Sequence, residues 1–182
     1  MSMSRWVWVV ALAGTLQATA AMAEVTKAVP GQFEITLKAH VAAEPDETYA
    51  AVAKLGQWWS SGHTFSGDAH NLTLEPNAGG CWCEALPRGG SVQHMRVIFA
   101  APGKTLRLSG ALGPMQDQPA TGVMTWSFAK AAGGTDVTLI YRVAGPLGEG
   151  VDWPPLVNSV LGEQFGRFTR FVDTGSPEVK KP

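Results

Sequence analysis

The sequence predicts an α+β fold, a curved antiparallel sheet wrapped around one long C-terminal helix, and three observations carry that prediction. Through the middle of the chain, short stretches of strand composition are each stopped by glycine or proline. A single early segment beginning at Pro45 has the signals of a helix start. The last long segment, Trp153 to Val172, carries apolar residues at helical spacing over about half its circumference. Short strands joined by tight turns imply an antiparallel meander. A lone amphipathic helix that follows such a sheet buries its apolar face by lying across the concave side.

Taken in order, residues 1–23 read as a secretory leader. Arg5 supplies the positive start, Trp6 to Leu16 form a short uncharged apolar core, and Ala21-Met22-Ala23 offers the small-x-small cleavage pattern. The expected product is therefore exported, periplasmic or secreted, and begins near Glu24. Phe33 to Lys38 alternates apolar and polar side chains, the period of a half-buried strand. Pro45 suits the first turn of a helix, Asp46 and Glu47 place negative charge at its positive end, and Gly56 is a natural stop. Trp58-Trp59 then leads into a polar loop. Strands are expected at Leu72 to Leu74, Cys81 to Leu86, Val92 to Ala101, Thr105 to Ser109, Val123 to Ala129 and Val137 to Val143. In the final helix Asp152 can cap, Pro154 and Pro155 fit the first turn, and Leu156, Val157, Val160, Leu161, Phe165, Phe168, Phe171 and Val172 share a face. Gln164 falls near the middle of that face, where a polar group needs a partner from the protein, water or a ligand.

Residues 24–174 make one domain large enough for a proper core, followed by a polar tail, 175–182, expected to fray. Removing Arg5 from 14 basic residues leaves 13 against 15 acidic, a formal charge of −2, with no basic run to suggest a nucleic-acid partner. No transmembrane segment is expected in the mature chain. No residue pattern calls for a cofactor: there is no Ser/His/Asp series, metallohydrolase helix or phosphate loop.

Several stretches, in this order, carry a family likeness: Val41-Ala42-Ala43-Glu44-Pro45 with Tyr49, Trp58-Trp59, Gly79-Gly80-Cys81-Trp82, Pro102 to Leu108, Gly133 to Leu139, and the closing helix. On these segments the chain resembles the START-like superfamily of polyketide cyclases and lipid-transfer proteins (SRPBCC), and most of all its chaperone-ATPase-activator-like branch. The resemblance spans about Phe33 to Val172. It implies a helix-grip fold with a deep pocket between sheet and last helix, in which members bind apolar or amphipathic small molecules and some perform catalysis. No catalytic set is common to the superfamily, so no residue role is carried over. The leader departs from the mostly intracellular members of that branch.

Three groups of side chains could do chemistry. Trp58, Trp59, Trp82 and Trp126, with Gln164, could line a cavity for a small apolar or aromatic molecule, the expected partner. His63, Asp68, Glu84 and His94 could supply general acids and bases for a cyclase- or hydrolase-type reaction in the same cavity. The only two cysteines, Cys81 and Cys83, stand one residue apart and so share one face of a strand. If residues 87–90 close a hairpin with Leu86 opposite Ser91, then Cys83 faces His94 and Cys81 faces Arg96. Cys81, Cys83 and His94 would then be soft metal ligands, with His63, Asp68 or His70 as a fourth. The plainest reading of the pair is two small apolar side chains. A disulfide would need the strand to be bulged, because flat-strand i and i+2 Cα atoms lie about 6.5–7 Å apart.

Overall fold

The computed structural model describes residues 22–179, so the leader expected in residues 1–23 lies almost wholly outside it. Eight strands form one antiparallel sheet: β1 (Met22–Val29), β2 (Gln32–Val41), β3 (Leu72–Leu74), β4 (Cys81–Ala85), β5 (Ser91–Ala101), β6 (Thr105–Ser109), β7 (Thr121–Ala131) and β8 (Gly134–Ala144). Across the sheet they run β1-β2-β8-β7-β6-β5-β4-β3. The α+β architecture is as expected, with the long helix α3 (Trp153–Thr174) against the sheet.

Strict alternation explains most of the sheet. In β7, Gly122, Met124, Trp126 and Phe128 are buried between more exposed neighbours, and in β8 Val137, Leu139, Tyr141 and Val143 follow the same rule. These inward rows form the floor on which Phe165 and Phe168 of α3 rest. Burying such side chains stabilises the fold by about 1.5–3 kcal/mol each.

Three features differ from the sequence reading. β1 was not anticipated; most of its side chains are exposed, as suits an edge strand, and its pattern lacks a clean alternation. The early helix is two: α1 (Pro45–Val52) and α2 (Leu55–Trp58). Gly56 therefore does not stop a helix but sits inside α2, where an added Cβ would lie 3.0 Å from the Ala69 carbonyl oxygen. Its smallness lets α2 approach the chain at residues 69–70.

The third is the β4–β5 register. Cys81 faces Arg96 as expected, but Cys83 faces Gln93 and Ala85, not Leu86, faces Ser91. A β-bulge inserts His94 between the pairs Trp82–Met95 and Cys83–Gln93. His94 and Met95 are consecutive and both buried, which a regular strand forbids. The bulge turns His94 away from the cysteines and onto the inner face with Trp82 and Glu84.

The tail is tied back over its described part: Arg170 Nε donates to the Pro177 carbonyl at 2.9 Å and Arg167 pairs with Glu178 at 2.8 Å. No helix among the described residues is long and apolar enough to cross a membrane.

Candidate functional site

The apolar face of α3 does two jobs along its length. From Leu161 to Phe168 it is sealed onto the sheet, with Phe168 5.0 Å from the Trp126 ring and 5.3 Å from the Trp58 ring. From Trp153 to Val160 the same face is only half-buried, and Leu156 is 54 % exposed. Beneath that first half lies a cavity of about 410 Å³. Leu156, Val157, Val160 and Leu161 form its roof, Trp82, His94 and Leu72 its sheet side.

Two loops complete the walls. Leu112 to Met115 close one side, held by Tyr141, whose hydroxyl donates to the Gly110 carbonyl (3.1 Å) and accepts from the Leu112 N–H (3.2 Å). Burial pushes the Tyr141 hydroxyl pKa up, so it stays a neutral donor. Its ring has room because residue 122 is glycine; a Cβ there would lie 2.5 Å from the ring. The opposite wall is the loop from Trp59 to Phe65. α3 grips that loop with three polar side chains: Arg167 Nε donates to the Trp58 carbonyl (2.9 Å), Gln164 Oε1 accepts from Ser60 N–H (2.8 Å), and Glu163 Oε2 meets His63 Nε2 at 3.0 Å. Burial alone would raise the Glu163 pKa, but His63, Ser60 and Arg167 outweigh it and hold the carboxyl below its ordinary value.

The sheet anchors the far end of the same loop through Glu84, which is fully buried. Its carboxylate accepts the backbone N–H groups of Phe65 (3.2 Å) and Ser66, and lies 2.9 Å from His94 Nε2. Desolvation pushes the Glu84 pKa up, yet hydrogen bonds from Ser66, His94 and Phe65 more than reverse this and keep the carboxyl ionised below its usual range. The His94 ring is held between Phe65, stacked 5.9 Å away at 22°, and Trp82, also 5.9 Å away.

Of the acid–base candidates, then, the structure brings Glu84 and His94 together, with His94 on the cavity wall and Glu84 buried behind it. His63 lines the mouth but is engaged with Glu163. Asp68 is elsewhere: its Oδ1 accepts from the His70 N–H (2.9 Å) and meets His70 Nδ1 (2.8 Å), capping a short turn at the surface. Those contacts hold the Asp68 carboxyl below its ordinary pKa.

The tryptophans divide likewise. Trp59 and Trp82 face the cavity, their rings 5.0 Å apart and nearly perpendicular. Trp58 and Trp126, expected beside them, are packed below, around a void of about 10 Å³ that Gln164 also borders. The polar residue on the apolar face is thus explained on one side: Gln164 Oε1 holds Ser60, while its Nε2 has no partner among the described residues. The sequence points to the Trp58–His70 loop and the helix from Trp153 as walls without singling out Phe65 or Trp153, and it misses the 112–115 loop. Phe65 and Trp153 are two more aromatic residues beside those picked out, a signal that could have been read.

Cys81 and Cys83 correct the plainest reading of the pair, since they form a disulfide. Their Cα atoms are 5.3 Å apart, inside flat-strand spacing, at the place where the β4–β5 register shifts. Both lie on the face opposite Trp82 and Glu84, so His94 is not beside them. The expected convergence of Cys81, Cys83 and His94 is therefore absent, and no group of three metal-ligating side chains comes together among the described residues.

No family model matches this chain, and no curated protein matches it. Solved structures do. The Aha1 dimer from Colwellia psychrerythraea is 16% identical, with a TM-score of 0.57 over 78% of this chain and 97% of that one. A conserved protein of unknown function, EF2215 from Enterococcus faecalis, is 16% identical with a TM-score of 0.57, over 88% and 82% of the two chains. CalU16 from Micromonospora echinospora is 15% identical with a TM-score of 0.51, over 83% and 87%. At these identities the likeness shows the fold alone, which is START-like and of the helix-grip kind.

Proposed function

We propose that this chain is an exported START-like protein that binds a small apolar or aromatic molecule in the cavity under the first half of α3. The observation that carries the reading is the cavity itself: about 410 Å³, in the size range of small-molecule sites, walled mainly by Trp59, Trp82, Trp153, Leu156, Val157 and Met115. Burial of ligand surface against these side chains supplies the affinity at about 25 cal/mol per Å² before the costs of association. The leader read in residues 1–23 supports export. The START-like fold supports ligand binding by analogy only.

The test is a fluorescence titration with anilinonaphthalene sulfonate, paired with native mass spectrometry of protein purified gently. Saturable binding of one probe per chain, abolished by Val160→Trp, which fills the roof, is expected. A retained organic molecule would strengthen the reading. The absence of both a retained ligand and saturable binding overturns it.

A second reading, an acid–base enzyme of cyclase or hydrolase type, is favoured by one observation, the buried Glu84–His94 pair whose His94 lines the cavity. His63 and Asp68 add nothing to it where they stand.

A further inference from the structure

The lining of the cavity is mainly apolar, and the one titratable side chain buried in it is that of His94. His94 is 6 % exposed, lines the cavity, and uses Nε2 on Glu84. Its Nδ1 has no hydrogen-bond partner among the described residues. Nor is Nδ1 one of the sealed, unpartnered polar atoms, which are Trp82 Nε1, Trp153 Nε1, Asn158 Oδ1 and Gln164 Nε2. It therefore keeps accessible surface, and the space against it is the cavity.

Geometry also fixes the proton on Nε2, which leaves Nδ1 an acceptor when the ring is neutral. Glu84 already accepts two backbone N–H groups, one on each oxygen, an arrangement that favours the carboxylate over the acid. A carboxylate only accepts, so Nε2 must carry the proton it shares with Glu84. A neutral imidazole with its proton on Nε2 offers a lone pair at Nδ1. Phe65 and Trp82 on either side of the ring fix its direction. The other histidine at the cavity, His63, is half-exposed at the mouth, where water competes for it.

We propose that His94 Nδ1, oriented by Glu84, is the acceptor that selects planar aromatic alcohols for this cavity, an inference that rests on the cavity being a ligand site. The aromatic body fits between Trp59, Trp82 and Phe65, and the hydroxyl donates to Nδ1. Binding a ring without a donor leaves Nδ1 buried and unpaired, which weakens that complex relative to the alcohol. Glu84 is a positioning residue: it sets the tautomer and touches no ligand.

The experiment compares 2-naphthol with 2-methoxynaphthalene by calorimetry on the full exported chain. The two share a ring system, and the ether lacks only the donor. Naphthol should bind about 3- to 10-fold tighter, the share of one net hydrogen bond, although the ether is the more apolar. In His94→Phe the preference should vanish. A reading that needs no variant is the nitrogen-15 NMR spectrum of the wild-type ring. Nε2 should be protonated and Nδ1 pyridine-like, with Nδ1 shifting on addition of 2-naphthol and not of the ether. Equal affinities for both probes, or a ring protonated at Nδ1 whether neutral or cationic, overturn this proposal and leave the cavity reading standing. Failure of both probes to bind overturns both.

Discussion

Glu84 joins three parts of the molecule, since one carboxylate ties β4 to the 65–66 loop and to His94 on β5. Its folded pKa lies below its ordinary value of 4.5, so as pH falls the unfolded chain takes up the proton first. The stabilisation is complete above the ordinary value and is lost as pH falls through the folded one. A urea midpoint followed from about pH 6 to about pH 3 should therefore decline, and Glu84→Gln should flatten part of that decline, with Glu163 and Asp68 accounting for the rest. At neutral pH Glu84→Gln should cost about 1–3 kcal/mol, because an amide cannot accept from every donor that now surrounds the carboxylate. Gly122 is a second single-residue control: Gly122→Ala places a methyl against the Tyr141 ring and should cost about 1–3 kcal/mol in chemical denaturation. Neither role was legible in the sequence. Glu84 was picked out there as acid or base, but its loop-holding contacts depend on residues 18 and 19 positions away.

At the scale of the element, α3 separates stability from binding. Phe168 is fully buried between Trp58 and Trp126, so Phe168→Ala should cost about 3–5 kcal/mol. Leu156 roofs the cavity at 54 % exposure, so Leu156→Ala should change stability by no more than about 0.5 kcal/mol yet weaken probe binding measurably. Denaturation and titration on the two variants check the contrast. The apolar face of this helix was legible from its period, since Leu156 and Phe168 obey the same spacing. What the period could not carry is that the first half has no side chains directly beneath it. That depends on how the 112–115 and 59–65 loops stand, and their conformations are fixed by Tyr141, Glu84 and three side chains of α3 rather than by local sequence.

For the whole molecule, the strand order, which sets β8 beside β2, was not read from the sequence, but the antiparallel sheet and the helix across it followed from turn residues and alternation, because each strand from β2 onward carries its own signal. The bulge did not, since inserting His94 changes which face it occupies without changing any residue's propensity. The disulfide was no more legible, because flat-strand spacing would hold the cysteines too far apart, whereas β4 brings their Cα atoms to 5.3 Å. It closes so short a loop that its loss should cost no more than about 2 kcal/mol. Cys81→Ser with Cys83→Ser should accordingly fold, show wild-type probe affinity and unfold at a slightly lower midpoint, while the wild-type protein titrates no free thiol among Cys81 and Cys83.

The wall formed by residues 59–66 is pinned from both sides, by α3 and by Glu84. A molecule entering past it meets no hinge to swing. The most exposed apolar groups at the opening are the side chains of Phe65 and Leu156, and rotating them takes picoseconds to nanoseconds. Traffic through this mouth is therefore governed by encounter and by residence within the aromatic walls, so stopped-flow mixing should show a single phase whose rate rises linearly with probe concentration, with no slow conformational plateau.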